Sequence, residues 1–450
     1  MMTVSQFYED CLSQAAYLVG DETTGRAVVV DPLRDIDQYI AGAREHGLTI
    51  VGVILTHFHA DFLAGHLELA AATGAWVGVG ERGHPAFDAR PLADGERIPL
   101  GDVQLEIMAT PGHTPESISV LVYEHSRDTV PEAVLSGDAL FVGDVGRVDL
   151  QAIFGADPAM LAVEQYDTIQ HRFMGLPDAV RVLPAHGAGS ACGKHISRDR
   201  QSTVGRERAT NDACHPMSQN EFVDLITTGQ VPPPAYFVKD AALNRELHEL
   251  FDLESAPVAL EAAEFDALLA AGALVLDCRD VESFASGHLP GALNVPVDGR
   301  FAETAGMFLD LQRDRVVLVA PEGRAAEARR KLARIGFDRV AGFVSLDGPA
   351  DRLITTRRLD VDEYEAERGD AVLLDVRGPG EYQDGAIPGT VNIPLPQLAV
   401  RLAEIPLAST VLVNCQGGWR SGVATSFLNA HGFTAVDLRG GYQAWSSVPA

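Results

Sequence analysis

The sequence predicts an α/β multidomain chain, and three observations carry that prediction. Its 450 residues exceed one ordinary domain. Apolar, β-branched runs alternate with helix-like stretches along most of the length. The C-terminal half also repeats itself. Leu276-Asp277-Cys278-Arg279 returns as Leu374-Asp375-Val376-Arg377, and Gly287 to Pro296 returns as Gly385 to Pro394, each pair 98 residues apart.

The first element with chemistry is the run Val51-Gly52-Val53-Ile54-Leu55, which leads into Thr56-His57-Phe58-His59-Ala60-Asp61-Phe62. Two histidines and an aspartate within five residues, at the end of a β-branched run, have few uses other than a metal site. Three more apolar runs end the same way. His113 follows Leu105 to Thr110 in Pro111-Gly112-His113-Thr114, Asp138 ends Ala133 to Asp138, and His186 ends Val180 to His186. Strand ends gather along one edge of a sheet, so these side chains are expected to meet. H-x-H-x-D followed by His, Asp and His in that order resembles the metallo-β-lactamase superfamily. The resemblance implies an αββα sandwich over residues 1–235, with its metal site along the sheet edge.

Within that resemblance, His57, His113 and Asp138 form a two-histidine, one-carboxylate facial triad, which leaves open positions on Fe(II) for substrate and O2. Hydrolytic members of the superfamily carry a second metal that needs histidine after Asp61. Phe62 stands there, and an aromatic ring cannot ligate. The expectation is therefore one mononuclear Fe(II) per chain, with His59, Asp61 and His186 orienting ligands or handling protons. Cys11 to Leu18, Gly143 to Leu150 and Pro184 to Gly193 add a likeness to persulfide dioxygenases, from which Val148 departs where related chains commonly place Pro or Thr. Arg147 is read either as a binder of the substrate's anionic end or as a salt-bridged loop arginine. Cys192 either gates the metal site, accepts sulfur or is an inert loop cysteine. Gly78 to Gly83 matches G-x-G-x-x-G, but Pro85 forbids a helix there and excludes a dinucleotide site.

Pro232-Pro233-Pro234 breaks regular structure, and residues 236–255 read as a linker with a helical connector near Asn244 to Phe251. The repeats follow as 256–350 and 356–450. Their L-D-x-R and G-x-x-P-G-x-x-N-x-P segments, with Asn414-Cys415-Gln416-Gly417-Gly418-Trp419-Arg420-Ser421 in the second copy, resemble rhodanese domains. The resemblance implies Cys415 as nucleophile with Arg420 beside it, and Gln416, Gly417, Gly418, Trp419 and Ser421 as the loop that meets substrate. Backbone N–H groups and a helix N-terminus aimed at one sulfur stabilise a thiolate or persulfide. The first copy has Pro321-Glu322-Gly323-Arg324 at this point. Pro321 is read opposite Cys415, in a loop two residues shorter, which makes this copy inactive.

The composition excludes several classes. A net charge of −28 repels nucleic-acid phosphates, and no apolar run is long enough to span a bilayer. Five cysteines without C-x-x-C spacing argue against a disulfide framework or a zinc knuckle, and no role is assigned to Cys11 or Cys214. The N-terminal segment has no secretory pattern, so a cytoplasmic location is expected, as is a homo-oligomer. Across almost the whole chain the layout resembles fusions of a persulfide dioxygenase with an inactive and an active rhodanese. Such a fusion implies a thiol persulfide and O2 as substrates, with sulfite and thiosulfate as products. The rivals are a zinc-dependent thioester hydrolase of the glyoxalase II type and a non-catalytic sulfane-sulfur carrier.

Overall fold

A computed structural model describes residues 1–230, 232–346 and 352–448. The ends at 350 and 450 expected for the two repeats lie outside these residues. The chain folds into two compact units, Met1–Asp252 with Ala333–Gly336, and Leu253–Leu332 with Phe337–Ala450.

The first unit holds two six-stranded sheets in simple sequential order. One contains β1 (Met2–Glu9), β2 (Gln14–Asp21), β3 (Arg26–Val30), β4 (Thr49–Ile54), β5 (Trp76–Gly80) and β6 (Arg90–Leu92). The other contains β7 (Arg97–Pro99), β8 (Gln104–Ala109), β9 (Ile118–Tyr123), β10 (Ala133–Gly137), β11 (Arg181–Pro184) and β12 (Ser202–Thr203). Alternate residues Tyr17, Val19, Val28 and Val30 of the first sheet meet Leu105, Ile107, Val120 and Val122 of the second in one buried core. The opposite face of the second sheet buries Leu121, Val134 and Val182 against Leu161, Phe173 and Phe222 on helical segments. Helices Asp37–Glu45 and His66–Thr73 pack on the first sheet, so the layers run αββα, as the resemblance to the metallo-β-lactamase superfamily implies. Helix Pro158–Asp167 is capped by the Asp157 side chain, with proline in its first turn.

Two expectations are corrected at the end of this unit. Residues 236–252 are not a free linker: Phe237, Ala241 and Asn244 are buried in it. The helix there is Phe237–Leu243, and Asn244 to Phe251 is not helical. Asn244 instead donates its amide to the carbonyls of His59 and Phe62 and accepts from the Ala64 N–H. These long-range bonds compete successfully with one more helical turn.

The second unit holds two parallel sheets. The first copy forms β13 (Leu274–Asp277), β14 (Leu293–Asn294), β15 (Val316–Val319) and β16 (Val340–Val344), ordered β14-β13-β15-β16. The second forms β17 (Arg358–Leu359), β18 (Val372–Asp375), β19 (Val391–Asn392), β20 (Thr410–Asn414) and β21 (Thr434–Leu438), ordered β17-β21-β20-β18-β19. The repeated Asp277 and Asp375 occupy equivalent rungs, opposite Val319 and Asn414. That register corrects the sequence alignment of the loops. Ala320, not Pro321, stands opposite Cys415. The first copy's loop is not the shorter part either: five residues separate β15 from helix Ala325–Ala333, and four separate β20 from helix Trp419–Ala430. The missing length lies in the helix, nine residues against twelve.

Candidate metal centre and sulfur site

The four strand ends do meet, although β4 belongs to one sheet and β8, β10 and β11 to the other. His57, His113 and Asp138 are all buried, with ligand atoms within 4.8 Å of one another. Asp138 Oδ2 lies 3.5 Å from His113 Nε2 and 3.9 Å from His57 Nε2. His57 Nε2 and Asp138 Oδ2 have no hydrogen-bond partner. Buried polar atoms without partners, converging on one point, are what a metal ion would satisfy.

Each ligand is oriented from behind. Thr56 donates its hydroxyl to Asp31 Oδ2 at 2.8 Å and its N–H to Asp31 Oδ1 at 2.8 Å, so its oxygen is left to accept from His57 Nδ1 at 3.0 Å. That bond turns the His57 Nε2 lone pair toward the centre. His113 Nδ1 donates to the Arg147 carbonyl at 2.6 Å, with the same consequence for its Nε2. Gly146 allows that approach, since a Cβ there would stand 1.9 Å from the Asp138 carbonyl oxygen and 3.0 Å from His113 Nδ1. Burial lowers the pKa of both His57 and His113, keeping the rings neutral. For Asp138 burial pulls upward, but the charge and hydrogen bond of His186, with His57 and His113, hold the carboxyl below its ordinary range. Neutral imidazoles and an ionised carboxylate are the states a divalent metal requires.

The other predicted residues lie around this centre. His186 spans two carboxylates, Asp138 Oδ1 and Asp61 Oδ2, both at 2.7 Å, and burial is outweighed by their charges, so its pKa is raised. His59 Nε2 lies 3.0 Å from Asp31 Oδ1, and its ring rests between His57 at 4.0 Å and Phe62 at 4.2 Å. Phe62 thus places a buried apolar ring against His59. Cys192 joins Asp61 and His186 in a second buried cluster. Burial and the Asp61 and Asp138 charges push its thiol up, so it is held protonated. The Arg147 guanidinium grips the Asp149 carboxylate through two bonds of 2.7 Å and donates to the Ala191 carbonyl.

The candidate sulfur site lies in the second unit. Cys415 is buried, and its Sγ accepts from the Gly418 N–H at 3.1 Å and the Ser421 hydroxyl at 3.3 Å. Gly418, at φ 92°, turns the chain into helix Trp419–Ala430. A turn at Gly440-Gly441 supports the loop, with Tyr442 N–H donating to the Cys415 carbonyl and Gln443 N–H to the Gln416 carbonyl. Gln416 and Gly417 face solvent, and Trp419 is half-buried. Arg420 is engaged by both oxygens of Glu381 at 2.7 Å, and Arg377 reaches Gln416 Oε1. In the first copy, Arg324 is tied to Asp298 and Glu327, and Ala320 offers no nucleophile.

Sequence reasoning missed Asp31, Thr56, Gly146, Glu381 and Gly441. Asp31 alone carried a signal, because Val28-Val29-Val30-Asp31-Pro32 is another apolar run ending in a ligand-type residue.

Comparison with known proteins agrees with this architecture. The metallo-beta-lactamase superfamily model matches residues 10–186, and the rhodanese-like domain model matches 261–347 and 360–448. The crystal structure of a metallo-beta-lactamase from Staphylococcus aureus is 33% identical, covering 76% of this chain and 99% of that one, with a TM-score of 0.69. The chain belongs to the metallo-beta-lactamase superfamily. Among superfamily relatives, the mitochondrial persulfide dioxygenase ETHE1 of Bos taurus is 29% identical over 230 residues, 51% of this chain and 82% of that protein. A hydroxyacylglutathione hydrolase of Rhodospirillum rubrum is 34% identical over 135 residues, 29% of this chain and 50% of that protein. This superfamily member thus carries two rhodanese-like domains after its N-terminal domain. Among the described residues no helix is long and apolar enough to cross a membrane.

Proposed function

We propose that the protein is a mononuclear iron persulfide dioxygenase coupled to a sulfurtransferase, with the first chemistry in the N-terminal unit and the second in the C-terminal rhodanese-like repeat. The carrying observation is the pairing of a two-histidine, one-carboxylate set with Phe62 beside it. His57, His113 and Asp138 would hold the metal as a two-histidine, one-carboxylate set, a donor set suited to iron that binds substrate and O2 together, and the likeness to persulfide dioxygenases supports the substrate class. Bound Fe(II) would supply activation of O2 next to the persulfide. The chain's own residues hold neutral imidazole lone pairs inward, keep Asp138 ionised, and place His186 between Asp138 and Asp61 to hold a proton. The overall change converts a thiol persulfide, O2 and water to thiol, sulfite and two protons.

Cys415 then takes the outer sulfur of a second persulfide and passes it to sulfite, giving thiosulfate. The Gly418 N–H and the Ser421 hydroxyl hold the sulfur's charge in both steps. Five cysteines, none in a disulfide among the described residues, suit a reducing compartment such as the cytoplasm. The hydrolase reading draws on the Rhodospirillum rubrum relative but needs a second metal, which Phe62 opposes. Metal analysis after anaerobic purification, with O2 uptake on glutathione persulfide, tests the reading. About one iron per chain with uptake supports it. Two zinc ions with thioesterase activity and no uptake would replace it.

A further inference from the structure

Two of the groups that hold the Cys415 sulfur belong to helix Trp419–Ala430: the Gly418 N–H at its start and the Ser421 hydroxyl in its first turn. One face of that helix is seated on the first repeat. Gly422 lies against Val281, the first residue of helix Val281–Ser286, so closely that a Cβ at Gly422 would stand 2.4 Å from Val281 Cγ1 and 2.9 Å from Cγ2. Four residues on, and so on the same face, the Ser426 hydroxyl accepts from the Asn294 N–H at 2.9 Å. Beside it Phe427 packs on Phe308, with ring centroids 4.5 Å apart.

We propose that the first repeat, which has no nucleophile of its own, positions the nucleophile's helix in the second, with Val281 and Asn294 as positioning residues for sulfur transfer at Cys415. This deepens the sulfurtransferase reading and rests on it. The contact is particular to one repeat. β14 is an edge strand of the first repeat's sheet, yet Leu293 and Asn294 on it are buried. The equivalent edge strand of the second repeat, β19, leaves Val391 51% exposed. A sheet edge presents unpaired N–H groups. Ser426 answers the one on Asn294, while its own hydroxyl donates to the Val423 carbonyl at 2.8 Å. Next to Val281, Glu282 accepts from Arg358 and Arg439 of the second repeat.

Position matters because hydrogen-bond donors assist a reaction only when they are aimed at the atom that carries the charge. Carbon atoms in ordinary contact lie about 3.5–4 Å apart, so a methyl group at Gly422 would drive the helix about 1 Å away from Val281. Val281 is β-branched and does not swing aside cheaply. A displacement of about 1 Å exceeds the spread of distances over which a hydrogen bond keeps its strength. Ser421 is the neighbour of Gly422, so the contacts of 3.1 and 3.3 Å to Sγ move with the helix.

The test is sulfur transfer from glutathione persulfide to sulfite in Gly422→Ala, in Gly422→Ala combined with Val281→Ala, and in Ser426→Ala, with Tm and O2 uptake followed beside it. Gly422→Ala should lose about ten- to a hundredfold in kcat/KM, the scale of a misplacement of about 1 Å. The double variant should recover most of that loss, because Val281→Ala removes the two atoms nearest to the new methyl group. Alanine is a better helix former than glycine, so Gly422→Ala should fold, and Tm reports it. Where it does not, Ser426→Ala carries the test: it removes the acceptor of the Asn294 N–H without a clash and should lower transfer in the folded protein. O2 uptake should stay near wild type throughout, since no metal ligand is touched. A purely structural contact would lower Tm and leave transfer per folded chain unchanged, and that result would overturn the proposal. A double variant as slow as Gly422→Ala would do the same. Absence of Cys415-dependent transfer from the wild type removes the sulfurtransferase function and the proposal with it, so the two failures are told apart.

Discussion

Replacing Thr56 with valine removes one hydroxyl from a buried chain that runs from Asp31 to the metal centre, at nearly constant volume. Asp31 Oδ2 loses a donor at 2.8 Å and His57 Nδ1 loses its acceptor at 3.0 Å, both out of reach of water. A hydrogen bond to a charged group is worth about 1.5–3 kcal/mol, and an unsatisfied buried polar group costs about 1–3 kcal/mol. The Thr56 N–H still serves Asp31, so we expect the low end of that sum, about 3 kcal/mol of stability. In a unit of this size that lowers Tm by roughly 6–12 °C. With His57 free to rotate, iron affinity should fall about 10- to 100-fold, the usual loss when a group orienting a ligand is removed. The assays are iron retention against graded chelator, O2 uptake with added persulfide, and sulfur transfer as an internal control. Iron affinity within about twofold of wild type, well short of that loss, in a variant of lowered Tm would refute the claim that Thr56 orients His57.

Further perturbations separate the two chemistries. His113→Ala should remove iron and O2 uptake while sulfur transfer stays near wild type; parallel loss of both in a folded variant contradicts separate centres. Gly146→Ala should cost about 1–3 kcal/mol or more, because its Cβ would stand 1.9 Å from the Asp138 carbonyl oxygen, and iron content should drop with Tm. Ala320→Cys in a Cys415→Ser background should not restore transfer. Pro321 removes one N–H from that loop and Arg324 is held by Asp298 and Glu327, so recovered thiosulfate formation would show that the loop is competent.

The candidate metal centre was legible in the sequence because each candidate ligand ends an apolar run, and strand ends converge whatever the details of packing. The repeat was legible because equal spacing survives in sequence. What supports the ligands was not. Thr56 meets Asp31 across 25 residues and His113 meets a backbone carbonyl at Arg147, and neither contact leaves a periodic trace. Arg147 illustrates the difficulty: nothing in the local sequence shows that its guanidinium pairs with Asp149, two residues on. The alignment of Pro321 with Cys415 failed because it trusted the glycines beyond the helix, whereas the strand register places the shortening inside the helix itself.

On the proposed function, one chain makes sulfite at iron and consumes it at Cys415. The direct test follows early products from glutathione persulfide and O2 in wild type and Cys415→Ser, each corrected for a reaction without protein. Serine cannot form the persulfide that transfer requires, and it leaves the metal ligands untouched. The account predicts equal O2 uptake in both proteins, with thiosulfate from wild type replaced by sulfite in the variant. Unchanged thiosulfate yield from Cys415→Ser would contradict it.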